Sequence, residues 1–395
     1  MIHPHQLDLA HALRGRDIVC FSNDWDGDPL SKTHIMKILA RDNRILWVNS
    51  VSNRRPTAST HDLRRIGKKL VDAARGLREP WPHLHVLGPL AVPSFGGIAT
   101  AVNGSVFRRQ ILRAMRRLGF QRPISWSFLP ASAPVSGTLG EDLVVYHCVD
   151  EFSAFAGAPA EIAKMEADLA RRADVVIVSA ERLRRAKIQF NPNCHIVRHG
   201  VDHDHFAQAL APATRIPEDL VNLPKPVIGF FGLLAEWVDL ELVRAVADAF
   251  PHGSVVLLGK VRTSLAPLAG ARNVHLMGRR PYEELPMWCK GFDVALMPFV
   301  EDELAAHSNP LKVREYLAAG LPVVSTPVPE VVQLGLCRIA SGKEAFVEAV
   351  RQALADPLSR AARSRSIAGE SWDARVEEIR AAVAATYRLR EGTGA

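Results

Sequence analysis

The sequence predicts an α/β protein of two Rossmann-like domains facing a central cleft. Three observations predict it. The chain has 395 residues, too many for one ordinary core. Short runs rich in Val and Ile recur, each followed by a helical pattern, as parallel strands buried on both faces require. The proline-rich stretch FAQALAPATRIPEDLVNLPKP, near 206–225, interrupts the scheme and reads as a linker.

In the first half the strand-like runs are DIVCFS (17–22), RILWVN (44–49), HLHVLG (83–88), PISWSF (123–128), LVVYHC (143–148), DVVIVS (174–179) and HIVRHG (195–200). Residues 31–41, 62–77, 104–118 and 159–172 read as helices. The second half repeats the scheme at PVIGFFG (226–232), SVVLLG (254–259), VHLMG (274–278), DVALMPF (293–299) and PVVST (322–326). Helical stretches lie between them at 238–249, 281–290 and 310–319. The expected organisation is an N-terminal acceptor domain over 1–205 and a C-terminal donor domain over 206–370. A final helix over 371–395 is expected to cross back to the first domain.

Composition narrows the function classes. Hydrophobic residues make up 48% and charged residues 23%, which excludes disorder as the main state. No apolar run reaches the ~20 residues of a bilayer span. The first residues, MIHPHQLDLAHALRGRD, lack the apolar centre of a secretory signal, so a cytoplasmic location is expected. Five cysteines without C-x-x-C spacing argue against disulfides or a zinc site and read as small buried groups. The net charge of +7 is uneven, because residues 51–122 alone carry 14 basic and 3 acidic groups. In 62–77 and 107–118 those charges flank an apolar stripe of helical spacing. Both segments therefore read as basic amphipathic helices, and an anionic membrane surface is the expected partner through 54–122. No nucleic-acid-binding motif is visible.

The most informative segment is HSNPLKVREYLAAGLPVVSTPVPE (307–330). Ser308 or Asn309 can cap a helix, Pro310 suits its first position, Leu311 supplies an apolar contact, and Gly320 with Pro322 ends it. A helix N-terminus is a natural diphosphate site, and Lys312 adds a positive charge in the first turn. Glu315 shares a face with Lys312 and can accept hydrogen bonds from two ribose hydroxyls. An ordinary amphipathic helix with a surface Lys–Glu pair explains the same residues.

The first half offers other polar groups beyond strand ends, where such sheets bind ligands. His147, Asp150 and Glu151 follow VVY; His147 and Asp150 are the candidate catalytic pair. Asn23, Asp24 and Trp25 follow the first strand and read as the acceptor side, with Trp25 able to stack on a sugar ring. Ser31 can cap the following helix. D-W-D-G-D (24–28) lacks the remaining ligands of a calcium loop, and no metal is expected.

NPLKVREYLAAGLPVVSTPVPE resembles the donor-binding segment of retaining GT-B glycosyltransferases, the glycosyl transferases group 1 type. VRHGVDHDHF (197–206) resembles the segment that closes their first domain. FSNDWDGDPLSKTHIMKILA (21–40) and VVYHCVDEFSAF (144–155) resemble segments of bacterial surface-polysaccharide glycosyltransferases, the teichuronic-acid type among them. The resemblance spans roughly residues 17–330. It implies a GT-B fold and a metal-independent enzyme. That enzyme would move a sugar from a UDP- or GDP-linked donor to a glycan or lipid-linked acceptor, with retention. It implies that Glu315 binds the ribose and that Gly232 forms the turn approaching the donor phosphates. This chain departs from the pattern in two places. His307 stands where many relatives have an acid, and LLAEW follows Gly232 where many have a basic pair. Lys312, then Arg279 and Arg280, are the candidates to neutralise the leaving diphosphate. Two alternatives remain: a sugar-nucleotide epimerase, which would consume donor without acceptor, and a non-catalytic nucleotide-sugar-binding scaffold.

Overall fold

The computed structural model describes residues 13–50, 75–90, 97–155 and 157–392. The expected helix at 62–77 falls largely outside them. The chain divides into two compact units, 1–198 with 375–395, and 199–374. Residues 199–205, expected at the end of the first domain, belong to the second unit.

The first unit is built on an eight-stranded sheet of order β3-β4-β2-β1-β5-β6-β7-β8. Its strands are β1 (Asp17–Phe21), β2 (Arg44–Val48), β3 (Arg78–Trp81), β4 (Leu84–Leu87), β5 (Ile124–Ser127), β6 (Leu143–Cys148), β7 (Val175–Val178) and β8 (Cys194–Ile196). All pairings are parallel except β3 with β4. Strands β5, β6 and β7 are buried along their whole length, and β7 (VVIV) is accordingly all apolar.

The helix Gly97–Leu118 corrects one expectation. Phe107, Ile111, Ala114 and Met115 are buried against Val19, Phe21, Leu46 and Val48. Its apolar stripe is thus spent on the unit's own core and is not available to lie in a bilayer. Arg109, Arg113, Arg116 and Arg117 remain exposed on the other side, while Arg108 donates to the carbonyl of Thr138 at 2.8 Å.

The last helix, Trp372–Gly392, is anchored in the first unit by polar groups. Arg380 donates to Asp42 at 2.9 Å, Tyr387 to Asp142 at 2.9 Å, and Thr386 accepts from Asn193 at 2.9 Å.

The second unit carries a six-stranded parallel sheet of order β11-β10-β9-β12-β13-β14. Its strands are β9 (Val227–Phe231), β10 (Ser254–Leu258), β11 (Val274–Gly278), β12 (Val294–Met297), β13 (Val323–Ser325) and β14 (Arg338–Ile339). Gly229 has no side chain because the Phe292 ring occupies that space, with a Cβ there lying 2.1 Å from a ring carbon. Among the described residues, no helix is long and apolar enough to cross a membrane.

Four cysteines (Cys20, Cys148, Cys194 and Cys289) are buried and Cys337 is half-buried; all five are free thiols.

Candidate functional site

In the second unit the parallel strands end on one edge, and three glycines line it. Gly232 follows β9, Gly259 follows β10, and Gly278 closes β11. The amide of Gly232 donates to the Leu258 carbonyl at 2.8 Å, and that of Gly259 to the Gly278 carbonyl at 2.8 Å. Gly232 and Gly259 have φ of +138° and +150°, a region that side-chain-bearing residues rarely adopt.

The helix Leu311–Ala318 starts at the same edge. Pro310 occupies the N-cap position itself, one residue earlier than expected, and no side chain caps the helix. Both expected caps are engaged elsewhere. The Ser308 hydroxyl donates to the Ala305 carbonyl at 2.9 Å, and the Asn309 side-chain oxygen accepts from Arg314 at 2.7 Å. The first turn holds no acid, so its amides have no side-chain cap and keep their partial positive charge. The helix ends as expected, with Gly320 left-handed at φ +78°.

Lys312 lies across the glycine turn. A Cβ on Gly232 would fall 2.0 Å from the Lys312 Cε, so the turn is bare because the lysine stem runs over it. The ammonium sits 5.9 Å from the Phe230 ring centre and 5.8 Å from that of Phe299. Burial lowers the Lys312 pKa, opposed by the nearby charge of Glu315.

Glu315 is half-buried. Among the described residues its carboxylate has no hydrogen-bond or ion-pair partner, Lys312 included. Burial pushes it up to about 7, against the pull of Lys312 and with a further push from Asp202. A carboxylate so placed is under-solvated and can accept two hydroxyl hydrogens. Tyr316, the next residue, ties the helix to the sheet by accepting the Phe231 amide hydrogen at 2.8 Å. Gly232, the uncapped amides, Lys312 and Glu315 are therefore gathered within one unit. Together they can hold a diphosphate and a vicinal diol.

The other basic candidates separate. Arg280 donates to Asp219 at 2.9 Å and stacks 4.6 Å over Trp288, so it serves the fold. Arg279 is exposed just beyond β11. His307 folds back on its own turn, with Nδ1 at 2.8 Å from the Glu303 carbonyl. Sequence reasoning missed two cations beside the glycine turn. The Lys260 carbonyl accepts from the Leu234 amide at 2.9 Å, and the Arg262 amide donates to the Leu234 carbonyl at 2.7 Å. The K-V-R that follows SVVLLG was the available signal.

The first unit has its own polar cluster. His147 lies inside β6 with 1% of its surface exposed, 4.8 Å from the Phe128 ring and 6.1 Å from that of Trp126. Asp150 follows β6, half-buried, with its pKa raised by burial and held back by Lys32. Asn23 accepts from the Lys32 ammonium at 2.9 Å. Trp25 packs edge-on against Trp47 at 5.1 Å, and its amide donates to Asn49 at 3.0 Å. Asp24 accepts from the Ser50 hydroxyl at 3.4 Å. Ser31 does not cap its helix: it is the first helical residue, and Leu30 stands at the cap position.

The loop after β6 is braced from below. Lys187, 4% exposed, donates to Glu151 at 2.8 Å and to Glu166 at 2.8 Å, and Tyr146 donates to Glu166 at 2.5 Å. Burial alone would lower the Lys187 pKa, yet Glu166 and its neighbours raise it above the usual lysine value. Lys187→Met should therefore strand two carboxylates and cost about 3–5 kcal/mol in urea unfolding. A loss under ~1 kcal/mol would show that the brace carries little.

The family model described as "Glycosyl transferases group 1" matches residues 225–356, the span that holds the glycine turn, Lys312 and Glu315. The match covers about a third of the chain. A curated relative, the protein of Bacillus subtilis (strain 168) described as a teichuronic acid biosynthesis glycosyltransferase, TuaH, is 26% identical over 227 residues. That match covers 53% of this chain and 56% of the relative, so it spans little more than half the relative's length. Among solved structures, sucrose-phosphate synthase from Thermosynechococcus elongatus superposes with a TM-score of 0.69 at 15% identity. It covers 96% of this chain and 100% of its own. HepE from Anabaena in complex with UDP gives a TM-score of 0.61 at 15% identity, covering 92% and 98%. These likenesses show the GT-B fold, and the family match lies in its second half. Among the described residues, no group of three His, Cys, Asp or Glu is placed to hold a metal ion.

Proposed function

We propose that the chain is a glycosyltransferase of cell-surface polysaccharide synthesis. It takes a sugar from a UDP- or GDP-linked donor, without a metal, and passes it to a glycan or lipid-linked acceptor. The observation that carries this reading is Glu315. It is a half-buried carboxylate with no protein partner among the described residues, one turn along from an uncapped helix start and Lys312. The helix amides and Lys312 take the diphosphate, and Glu315 takes the ribose diol. Gly232 lets the backbone approach, and Ser308, Asn309, Pro310 and Leu311 shape the helix entry. Arg279, with Lys260 and Arg262, is within the same edge of the sheet to add positive charge. As the anomeric C–O bond breaks, charge grows on the diphosphate, and fixed dipoles and cations stabilise it. The leaving diphosphate accepts the acceptor's proton on the face it departs from, which retains configuration.

Support also comes from the relatives. One is described as a teichuronic acid biosynthesis glycosyltransferase, and a structure of the same fold holds UDP. The experiment is calorimetric titration of the full chain with UDP, GDP and dTDP. Micromolar binding of one of them is expected, and heatless titrations with all three would refute the reading.

His147 and Asp150 are proposed to serve the transferred sugar and the acceptor, with Asn23, Asp24 and Trp25 beside them. Peripheral contact with the inner face of the cytoplasmic membrane is proposed through the exposed Arg109, Arg113, Arg116 and Arg117, by charge alone. Replacing all four by Gln should weaken binding to phosphatidylglycerol vesicles on the order of 1,000-fold, at about 1 kcal/mol per charge. Binding that ignores salt and lipid charge would count against it.

A further inference from the structure

The start of the helix Leu311–Ala318 has no side-chain cap, and only Ser308, Asn309 and Pro310 separate it from the helix Glu303–His307. A side chain of the helix's own therefore does not fix how the chain enters it. Asn309 is instead held from further away, at both of its acceptors. Its carbonyl takes a hydrogen from Nδ1 of His199 at 2.7 Å, and its side-chain oxygen takes one from Nη1 of Arg314 at 2.7 Å. Arg314 is 2% exposed. A buried guanidinium needs a counter-charge, and half-buried Glu370 supplies it, 3.4 Å from Nε. The Glu370 carbonyl in turn accepts from the Val201 amide at 2.9 Å, and Val201 bridges to Ser371. Gly200 permits this close run, because a Cβ there would lie 2.8 Å from the Trp372 backbone nitrogen. His199 and Glu370 thus come from opposite ends of the second unit, 199–374, and converge on one asparagine at the helix entry.

We propose that Arg314, His199 and Glu370 are positioning residues, a buried clamp on Asn309 that presets the uncapped helix start for a nucleoside diphosphate. Arg314 is too buried to reach a ligand itself. Its planar fork is what the place requires, one arm for Asn309 and another edge for Glu370. The clamp acts through the population of the competent entry. Without it the amides face the ligand only part of the time, and apparent affinity falls by that fraction. The identity of the ligand rests on the proposed glycosyltransferase reading.

The test titrates the full chain calorimetrically, well below its melting temperature, with whichever of UDP, GDP and dTDP the wild type binds. Arg314→Met and Asn309→Ala should each weaken binding about tenfold, and Glu370→Gln about threefold, as loss of a charge-assisted bond within the clamp implies. Arg314→Met and Asn309→Ala break the same bond, so the double variant should lose little beyond the larger single loss. Thermal melts of the same samples show that each variant is folded. If Arg314→Met does not fold, Asn309→Ala and Glu370→Gln carry the test, since each removes only an acceptor. A purely structural role would lower Tm and leave the affinity of the folded protein unchanged. Wild-type affinity in Asn309→Ala and Glu370→Gln, or single losses that simply add in the double variant, would overturn the clamp alone. A wild type silent toward all three nucleotides would sink the glycosyltransferase reading, and the clamp with it.

Discussion

Replacing Glu315 by Gln is expected to weaken nucleotide binding about 100-fold while making the ligand-free protein more stable at pH 8. The loss follows from removing an ionised acceptor that, in the proposed site, would make two charge-assisted hydrogen bonds. The gain follows from linkage. The folded carboxyl titrates at about 7, above its ordinary value of 4.5. The folded state therefore holds this proton more tightly than the unfolded chain. Stability falls as pH rises from 4.5 through 7 and is flat above, because a charge is then held in a poorly solvating place. Discounted for the solvent Glu315 still meets, the penalty is on the order of 2 kcal/mol, or several degrees in Tm. The difference between wild type and variant should vanish near pH 4. Wild-type affinity for UDP should rise about tenfold between pH 6 and pH 8 as the carboxylate ionises, and the Gln variant should show a flat profile. Equal Tm values at pH 8, with an unchanged UDP affinity, would remove Glu315 from the site.

The second large effect is expected at Gly259. A Cβ there would lie 1.7 Å from the carbonyl oxygen of Gly232, at a φ of +150°. Neither partner can yield, because both are backbone and both are pinned by strand-end hydrogen bonds. Gly259→Ala should cost about 4 kcal/mol or more in urea unfolding, and it should push the glycine turn out of place. Gly335→Ala separates the two causes. Gly335 is left-handed at φ +70° but has open space around it, so only the backbone term of about 1 kcal/mol applies. Comparable losses at the two sites would mean that the turn relaxes around the collision.

Much of the fold could be read from strand chemistry. LVVYHC gave β6 to the residue, because a strand buried on both faces has no room for polar alternation. REPW did not announce β3, since three of its four residues are exposed and it pairs antiparallel at the sheet edge. The helix Leu311–Ala318 was legible through Pro310 and Gly320, but its cap was not. Ser308 and Asn309 have the right chemistry, and only tertiary partners show that both are taken. The basic helix misled for a related reason: an apolar stripe looks the same whether it meets lipid or a core. Lys32 and Lys187 were invisible because lysines in SKTH and RLRRAK read as solvated, and burial of a charge depends on partners distant in sequence. Glu315 was legible in position and chemistry, whereas its isolation from Lys312 needed coordinates.

The helix Trp372–Gly392 makes the two units unequal during synthesis. The second is one unbroken length of chain and can fold once residue 374 has left the ribosome. The first must wait for its last twenty or so residues, although its sheet is translated earliest. Until Arg380 and Tyr387 arrive, Asp42 and Asp142 lack these ligands. The older half of the nascent protein is thus finished last, and it stays the more exposed to proteases and chaperones in the meantime.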